Sequence, residues 1–171
     1  MLTKVSLLWI LLCVVGGALS QDRPLEAWLR VEFPATETSY QGVDISALEP
    51  RWQKIGVLSY GVLPSDANDD IGWMRKEGFA FVKEGNLGAK GFVDRAVVGV
   101  FKDRSGNGGR FLLVLRKEPS GAWKKLFLHQ EPGERGFSVL VARGGKLYWG
   151  TCMQCENFRR LVVIDKGAIL N

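Results

Sequence analysis

Short apolar runs recur along most of this chain, and clusters of turn-forming residues separate them. From Ile55 onward the runs are rich in Val, Phe, Leu, Trp and Tyr, which suit a half-buried pleated surface. Gly, Asn, Asp, Ser or Pro clusters follow at intervals of about eight to twelve residues, which is typical of antiparallel β-structure. The predicted strands cover roughly 54–62, 78–84, 92–102, 110–117, 122–130, 136–142, 145–150 and 158–165.

This pattern predicts an all-β fold, or a β-rich fold with a short N-terminal helix. The antiparallel meander would form a sandwich, a barrel or a propeller-like sheet. The short helix is expected through residues 26–29, where the preceding Asp22 and Pro24 suit a helix start.

The side-chain pattern of two predicted strands indicates how their faces are used. The run 111–115 is apolar at every position, so a central strand buried on both faces is expected there. In the strand 122–130, the two-residue period places His129 on the same face as Trp123, Lys125 and Phe127.

Residues 1–20 have the features of a signal peptide. Lys4 precedes the apolar run 5–15, and Ala18 and Ser20 supply the small residues of a cleavage site. The run is shorter than the roughly 20 residues of a membrane span. The sequence therefore predicts a single β-rich domain over 21–171, secreted or periplasmic, without stable membrane insertion after leader cleavage.

Charge narrows the class of partner. The chain has 23 basic and 18 acidic residues, a formal net charge of +5. The basic residues are scattered, and the densest pairs are Lys124-Lys125 and Arg159-Arg160. A nucleic-acid surface usually clusters its cations with interleaved aromatics, so nucleic acid is not expected. The mild positive excess can still steer the protein toward an acidic partner.

The motif Cys152-Met153-Gln154-Cys155 contains the two cysteines that remain once the leader, with Cys13, is removed. In an oxidising compartment two close cysteines usually pair, so a local disulfide is predicted. Three other interpretations stay open: thiol–disulfide exchange, zinc with His129, and copper(I) with a methionine sulfur. Exchange would require a helix after the motif, and the run that follows is β-branched.

One segment has the spacing of a twelve-residue calcium loop. Oxygen-bearing side chains occupy its positions 1, 3, 5 and 12: Asp66, Asn68, Asp70 and Glu77. Position 6, where such loops need Gly, holds Ile71. Among the metals considered, calcium at this segment is the cofactor that we favour, and otherwise none is expected.

The chain lacks an evident catalytic motif, and His129 is its one histidine. No Gly-x-Ser-x-Gly elbow accompanies it, and the carboxylate pair Glu131 and Glu134 flanks a Pro-Gly turn. We therefore expect a protein without enzymatic activity.

These observations favour an exported β domain that binds another macromolecule, most concretely a periplasmic inhibitor or immunity-type protein with a protein partner. The loops 62–77 and 84–91 are expected to carry recognition. Candidate anchors are residue types common at binding hot spots: Trp73, Met74, Arg75, Trp123 and Trp149. Core packing is the competing role for each tryptophan. A calcium-dependent structural or adhesive module and a Cys-x-x-Cys oxidoreductase are the alternatives.

Overall fold

A computed structural model describes residues 31–88, 91–153 and 155–171 of the chain. The predicted signal peptide at 1–20 and the predicted helix at 26–29 lie outside the described residues. The side chains of residues 66, 68 and 69 are also outside the description.

The described residues form an antiparallel, strand-dominated fold, which confirms the predicted β class. The first half contains β1 (Ser39–Tyr40), β2 (Val43–Asp44), α1 (Ile45–Leu48), β3 (Trp52–Val57), α2 (Asn68–Lys76), β4 (Phe79–Ala80) and β5 (Val82–Gly85). The second half contains β6 (Asp94–Asp103), β7 (Gly108–Lys117), β8 (Trp123–Pro132), β9 (Val139–Arg143), β10 (Lys146–Gly150), β11 (Arg159–Ile164) and β12 (Gly167–Leu170).

The strands build two five-stranded antiparallel sheets and one small hairpin, β1–β2. Sheet I has the order β3-β6-β7-β8, and β5 pairs with the part of β6 that β3 leaves free. Sheet II has the order β12-β11-β10-β9-β4. The chain passes from sheet II to sheet I at the buried Phe81, between β4 and β5.

The two sheets pack face to face as a sandwich, because one apolar core contains buried side chains from β6 and β7 together with side chains from β9, β10 and β11. The opposite face of sheet I is covered by α1 and the β1–β2 hairpin through a second core. Residues 111–115 of β7 are fully buried, and β7 lies between β6 and β8. The predicted central strand is therefore confirmed.

A β-bulge in β8 corrects the predicted grouping of its side chains. Val114 pairs with Phe127, whereas the next residue of β7 pairs with Lys125, so Leu126 is the extra residue. The bulge shifts the two-residue alternation by one position. His129 and Phe127 consequently face sheet II, and Lys125 points to the other face, where its Nζ donates to the Leu48 carbonyl oxygen.

The prediction that residues 62–77 form a loop is wrong. The segment contains a short 3₁₀ turn at Ser65–Ala67 and then α2. Its Asp, Asn and Gly content is typical of a turn, but the buried Met74 and Ala67 anchor the helix in the main core.

Among the described helices, none combines the length and the apolar character that a membrane span requires.

Arg116 on β7 ties the two sheets together at one end of the sandwich. Its Nε lies 2.7 Å from Oδ1 of Asp94, and its Nη2 lies 3.3 Å from Oδ2 of the same carboxylate. Asp94 is fully buried. The guanidinium also donates to the carbonyl oxygens of Ile164, at 3.2 Å, and Asp165 in the β11–β12 turn. One buried ion pair of sheet I therefore holds a turn of sheet II.

We expect Arg116→Met to lower the free energy of unfolding by about 3–5 kcal/mol, because the Asp94 carboxylate is left buried without a partner. The double variant Asp94→Leu/Arg116→Met removes both charges and is expected to recover most of that loss. Urea unfolding of the three proteins measures both effects. A single variant within about 1 kcal/mol of the parent would contradict the proposed role of the pair.

Candidate functional site

Cys152 and Cys155 form a disulfide in the connection between β10 and β11, with their Cα atoms 5.4 Å apart. The predicted pairing is confirmed. Met153 between them is buried in the main core, so the loop is anchored to the sandwich. No helix begins at the motif among the described residues, and β11 follows it. The helix N-terminus that would activate a thiolate is therefore missing from the described loop.

Replacing both cysteines by Ser is expected to lower the free energy of unfolding by no more than about 2 kcal/mol, because the closed loop is very short. The variant should remain folded, since Met153 still anchors the loop. Urea unfolding followed by far-ultraviolet circular dichroism measures the change. An unfolded variant would show that the bond, rather than the core, determines this part of the fold.

The segment predicted to bind calcium does not adopt a calcium-loop conformation. Asp66 lies in the 3₁₀ turn, Asn68 and Asp70 lie on α2, and the exposed Glu77 caps the helix at its far end. The rise along α2 separates its ends by about 12 Å, so these backbone positions do not converge on one ion. No group of three or more His, Cys, Asp or Glu side chains suited to a metal occurs among the described residues. Calcium binding itself stays an untested prediction.

The predicted anchors on α2 have different surroundings. Trp73 is 42% exposed, and its ring centroid lies 5.3 Å from that of Phe79. Met74 is fully buried. The guanidinium of Arg75 lies 4.6 Å from the centre of the Tyr60 ring. Only Trp73 and Arg75 of this group can meet a partner from the surface of α2.

The two predicted anchors on the sheets are separated from each other. Trp123 is half-buried on the outer face of sheet I, and the Arg95 guanidinium lies 4.5 Å above its ring. Trp149 is buried between the sheets, with the Arg159 guanidinium 4.6 Å above its ring. The five predicted residues therefore do not form one surface, and Met74 and Trp149 belong to the core.

His129 lies at the seam between β8 and sheet II, in a group of mutually bonded side chains. Arg159 Nη2 is 2.8 Å from His129 Nε2 and 2.7 Å from Glu131 Oε1. A guanidinium only donates, so Nε2 accepts and the imidazole is neutral. The His129 ring also meets Trp149 edge-on, with centroids 5.3 Å apart. These contacts occupy the lone pair that a general base would need.

Burial lowers the pKa of His129 below its usual value, the positive charge of Arg159 lowers it further, and Glu131 opposes both effects. A base with a lowered pKa in the folded state binds protons more readily when unfolded. Its contribution to stability is therefore present above the unfolded pKa of about 6.5 and is lost as the pH falls toward the folded value.

We expect the stability of the parent to decrease more steeply between about pH 7 and about pH 5 than that of His129→Gln, whose amide can accept from Arg159 without titrating. Urea unfolding at the two pH values measures both slopes. Equal slopes would show that His129 is not placed in the folded protein as described.

A groove lies at the end of the sandwich where Arg116 joins the sheets. It has a volume of about 460 Å³ and combines apolar with basic side chains. The lining residues that matter here are Phe92, Arg116, Lys117, Lys124, Leu126 and Lys166. We refer to this feature as the lysine groove.

One exposed apolar side chain, Phe92, lines the lysine groove, and two more belong to residues next to lining residues in the chain: Val93 follows Phe92, and Ile164 precedes Asp165. Phe92 is 42% exposed, Val93 is 41% exposed and Ile164 is 45% exposed. The Phe92 ring centre lies 4.1 Å from the Arg116 guanidinium. The same guanidinium donates a hydrogen bond to the Ile164 carbonyl oxygen. Upstream, a Cβ at Gly88 would lie 2.0 Å from the carbonyl oxygen of a β11 residue, so only glycine fits there. Gly88 therefore packs closely against β11 of sheet II, and Phe92 packs against Arg116 of sheet I.

The free positive charge of the lysine groove comes from its lysines, because Asp94 already compensates Arg116. Lys117, Lys124 and Lys166 are exposed. The groove also contains the carboxylates of Glu118, which lies 4.0 Å from Lys124 Nζ, and Asp165. Lys166 has no ion-pair partner in the described part of the chain. The result is a weakly cationic, partly apolar concavity.

Sequence reasoning named none of the Phe92, Arg116 and Lys166 side chains as functional. The pair Lys124-Lys125 stands out as basic in the sequence, and both residues line the groove, although the Lys125 Nζ donates to the Leu48 carbonyl oxygen. The signal available in the sequence was a Phe directly after the predicted recognition loop 84–91.

No family model, curated protein or solved structure matches this chain. The function is therefore inferred from the side chains themselves, and the lysine groove with its apolar border is the strongest candidate site.

Proposed function

We propose that this protein is an exported, non-enzymatic β-sandwich that binds another protein, most concretely as an inhibitor or immunity-type protein of a bacterial cell envelope. The observation that carries the proposal is the exposed Phe92 side chain in the lysine groove, with the exposed Val93 and Ile164 next to lining residues in the chain. Exposed apolar side chains among polar ones are typical of interaction sites when they cluster, and Phe92 lies among the lysines of the groove.

The surroundings of this apolar group support binding. Phe92 is stacked on Arg116, whose guanidinium is bonded to Asp94 and to the β11–β12 turn. A side chain held in this way loses little conformational freedom when a partner covers it, which favours affinity. Aromatic side chains in such settings are frequent hot spots.

Two further observations support the non-enzymatic, exported part of the proposal. His129 shares its Nε2 lone pair with Arg159, which makes it a poor general base. The Cys152–Cys155 disulfide is compatible with an oxidising compartment, as is the predicted leader at 1–20.

The test is recovery of a partner from the envelope fraction of the source organism, followed by calorimetric titration of the purified partner into the purified chain. Phe92→Ser/Ile164→Ser is expected to weaken binding roughly thirtyfold, because a hot spot contributes about 2 kcal/mol. The matched control Val62→Ser/Val82→Ser changes two apolar side chains of similar exposure, 43% and 38%, outside the groove.

A third variant, Trp73→Ser, tests the surface of α2 that the sequence suggested. Selective loss of binding in the groove variant supports the proposed site. Equal binding by the groove variant and its control contradicts it, and selective loss in Trp73→Ser would move the site to α2. A recovered protein that does not rebind after purification counts against a binding function.

A further inference from the structure

We propose that the lysine groove receives an acidic segment of the partner protein, with an apolar side chain seated beside Phe92 and carboxylates facing the lysines. This inference rests on the proposed binding function and adds the chemistry of what is bound. It follows from the apolar contacts, the distribution of charge and the concave shape of the site.

The apolar part of the site can accept one side chain of a partner. Phe92 and Leu126 both line the groove, and Phe92 keeps 42% of its surface exposed. Since Arg116 covers one face of the Phe92 ring at 4.1 Å, the remaining exposed surface is available to a partner. Leu126 is half-buried and packs against the main core, so it provides a fixed apolar surface.

The lysine ammonium groups of the site favour a partner that carries carboxylates. Lys117, Lys124 and Lys166 are exposed along the groove. Lys125, which also lines it, donates its Nζ to the Leu48 carbonyl oxygen. Ammonium groups on flexible stems bind carboxylates as point charges, without the fixed geometry of an arginine fork. A segment that alternates acidic and apolar side chains satisfies both parts of the site.

Shape and charge also favour a protein segment over other anionic partners. The site is a groove of about 460 Å³, whereas a membrane surface presents a broad face that a concavity does not match. Glu118 and Asp165 lie among the lysines and would repel the closely spaced phosphates of a nucleic acid. A peptide can place its carboxylates next to the lysines and keep them away from these two acids.

The test uses a fluorescein-labelled peptide that alternates Glu and Leu, and a matched peptide that alternates Gln and Leu. Fluorescence anisotropy is expected to show binding of the Glu peptide, weaker binding of the Gln peptide, and loss of affinity as salt is added. Lys124→Glu/Lys166→Glu should weaken the Glu peptide roughly tenfold or more, because attraction becomes repulsion at two positions. Lys54→Glu/Lys146→Glu carries the same charge change on exposed lysines outside the groove and should bind like the parent.

Equal affinity for the two peptides, no binding of the Glu peptide, or an unchanged affinity in Lys124→Glu/Lys166→Glu would each overturn the inference. So would sedimentation with phosphatidylglycerol vesicles that depends on the same lysines while the peptide fails to bind. The proposed function is judged separately: a purified partner that loses affinity only in Phe92→Ser/Ile164→Ser supports it even where the acidic peptide does not bind.

Discussion

The buried ion pair between Arg116 and Asp94 is the interaction on which this end of the molecule depends. Two charges inside an apolar sandwich are tolerated only when their hydrogen-bonding capacity is used. The Asp94 carboxylate accepts hydrogen bonds from two guanidinium nitrogens of Arg116. The guanidinium also donates to the carbonyl oxygens of Ile164 and Asp165, where β11 turns into β12. The same guanidinium supports the Phe92 ring. The Arg116 guanidinium therefore contributes both to the contact between the sheets and to the wall of the lysine groove.

Arg159 makes a corresponding contact in the opposite direction. It extends from β11 of sheet II to His129 and Glu131 on β8 of sheet I, and its guanidinium covers Trp149. This contact is partly exposed, so solvent screens it and the desolvation cost is smaller. The two arginines thus join the sheets at two places: Arg116 binds a buried carboxylate, and Arg159 donates to a titratable histidine and to a partly exposed carboxylate.

Much of the fold was predictable from short-range pattern. The strands at 92–102 and 110–117, the burial of 111–115 on both faces and the pairing of Cys152 with Cys155 all follow from periodicity and spacing. The errors arose where a long-range contact overrode the local signal. Residues 62–77 look like a polar loop, but burial of Met74 makes part of them helical. His129 was grouped with Lys125 because a bulge between them leaves no mark in the pattern.

The sequence alone determined the β class, the central strand, the turns and the covalent loop, because alternation and turn chemistry act between near neighbours. Only the tertiary structure decided which side chains form a site. Arg116 meets an acid 22 residues away and a carbonyl 48 residues away. The lysine groove brings together Phe92, the β7–β8 hairpin and the β11–β12 turn. Such contacts depend on strand register, on one bulge and on how two sheets pack, and none of these is fixed by residues adjacent in the chain.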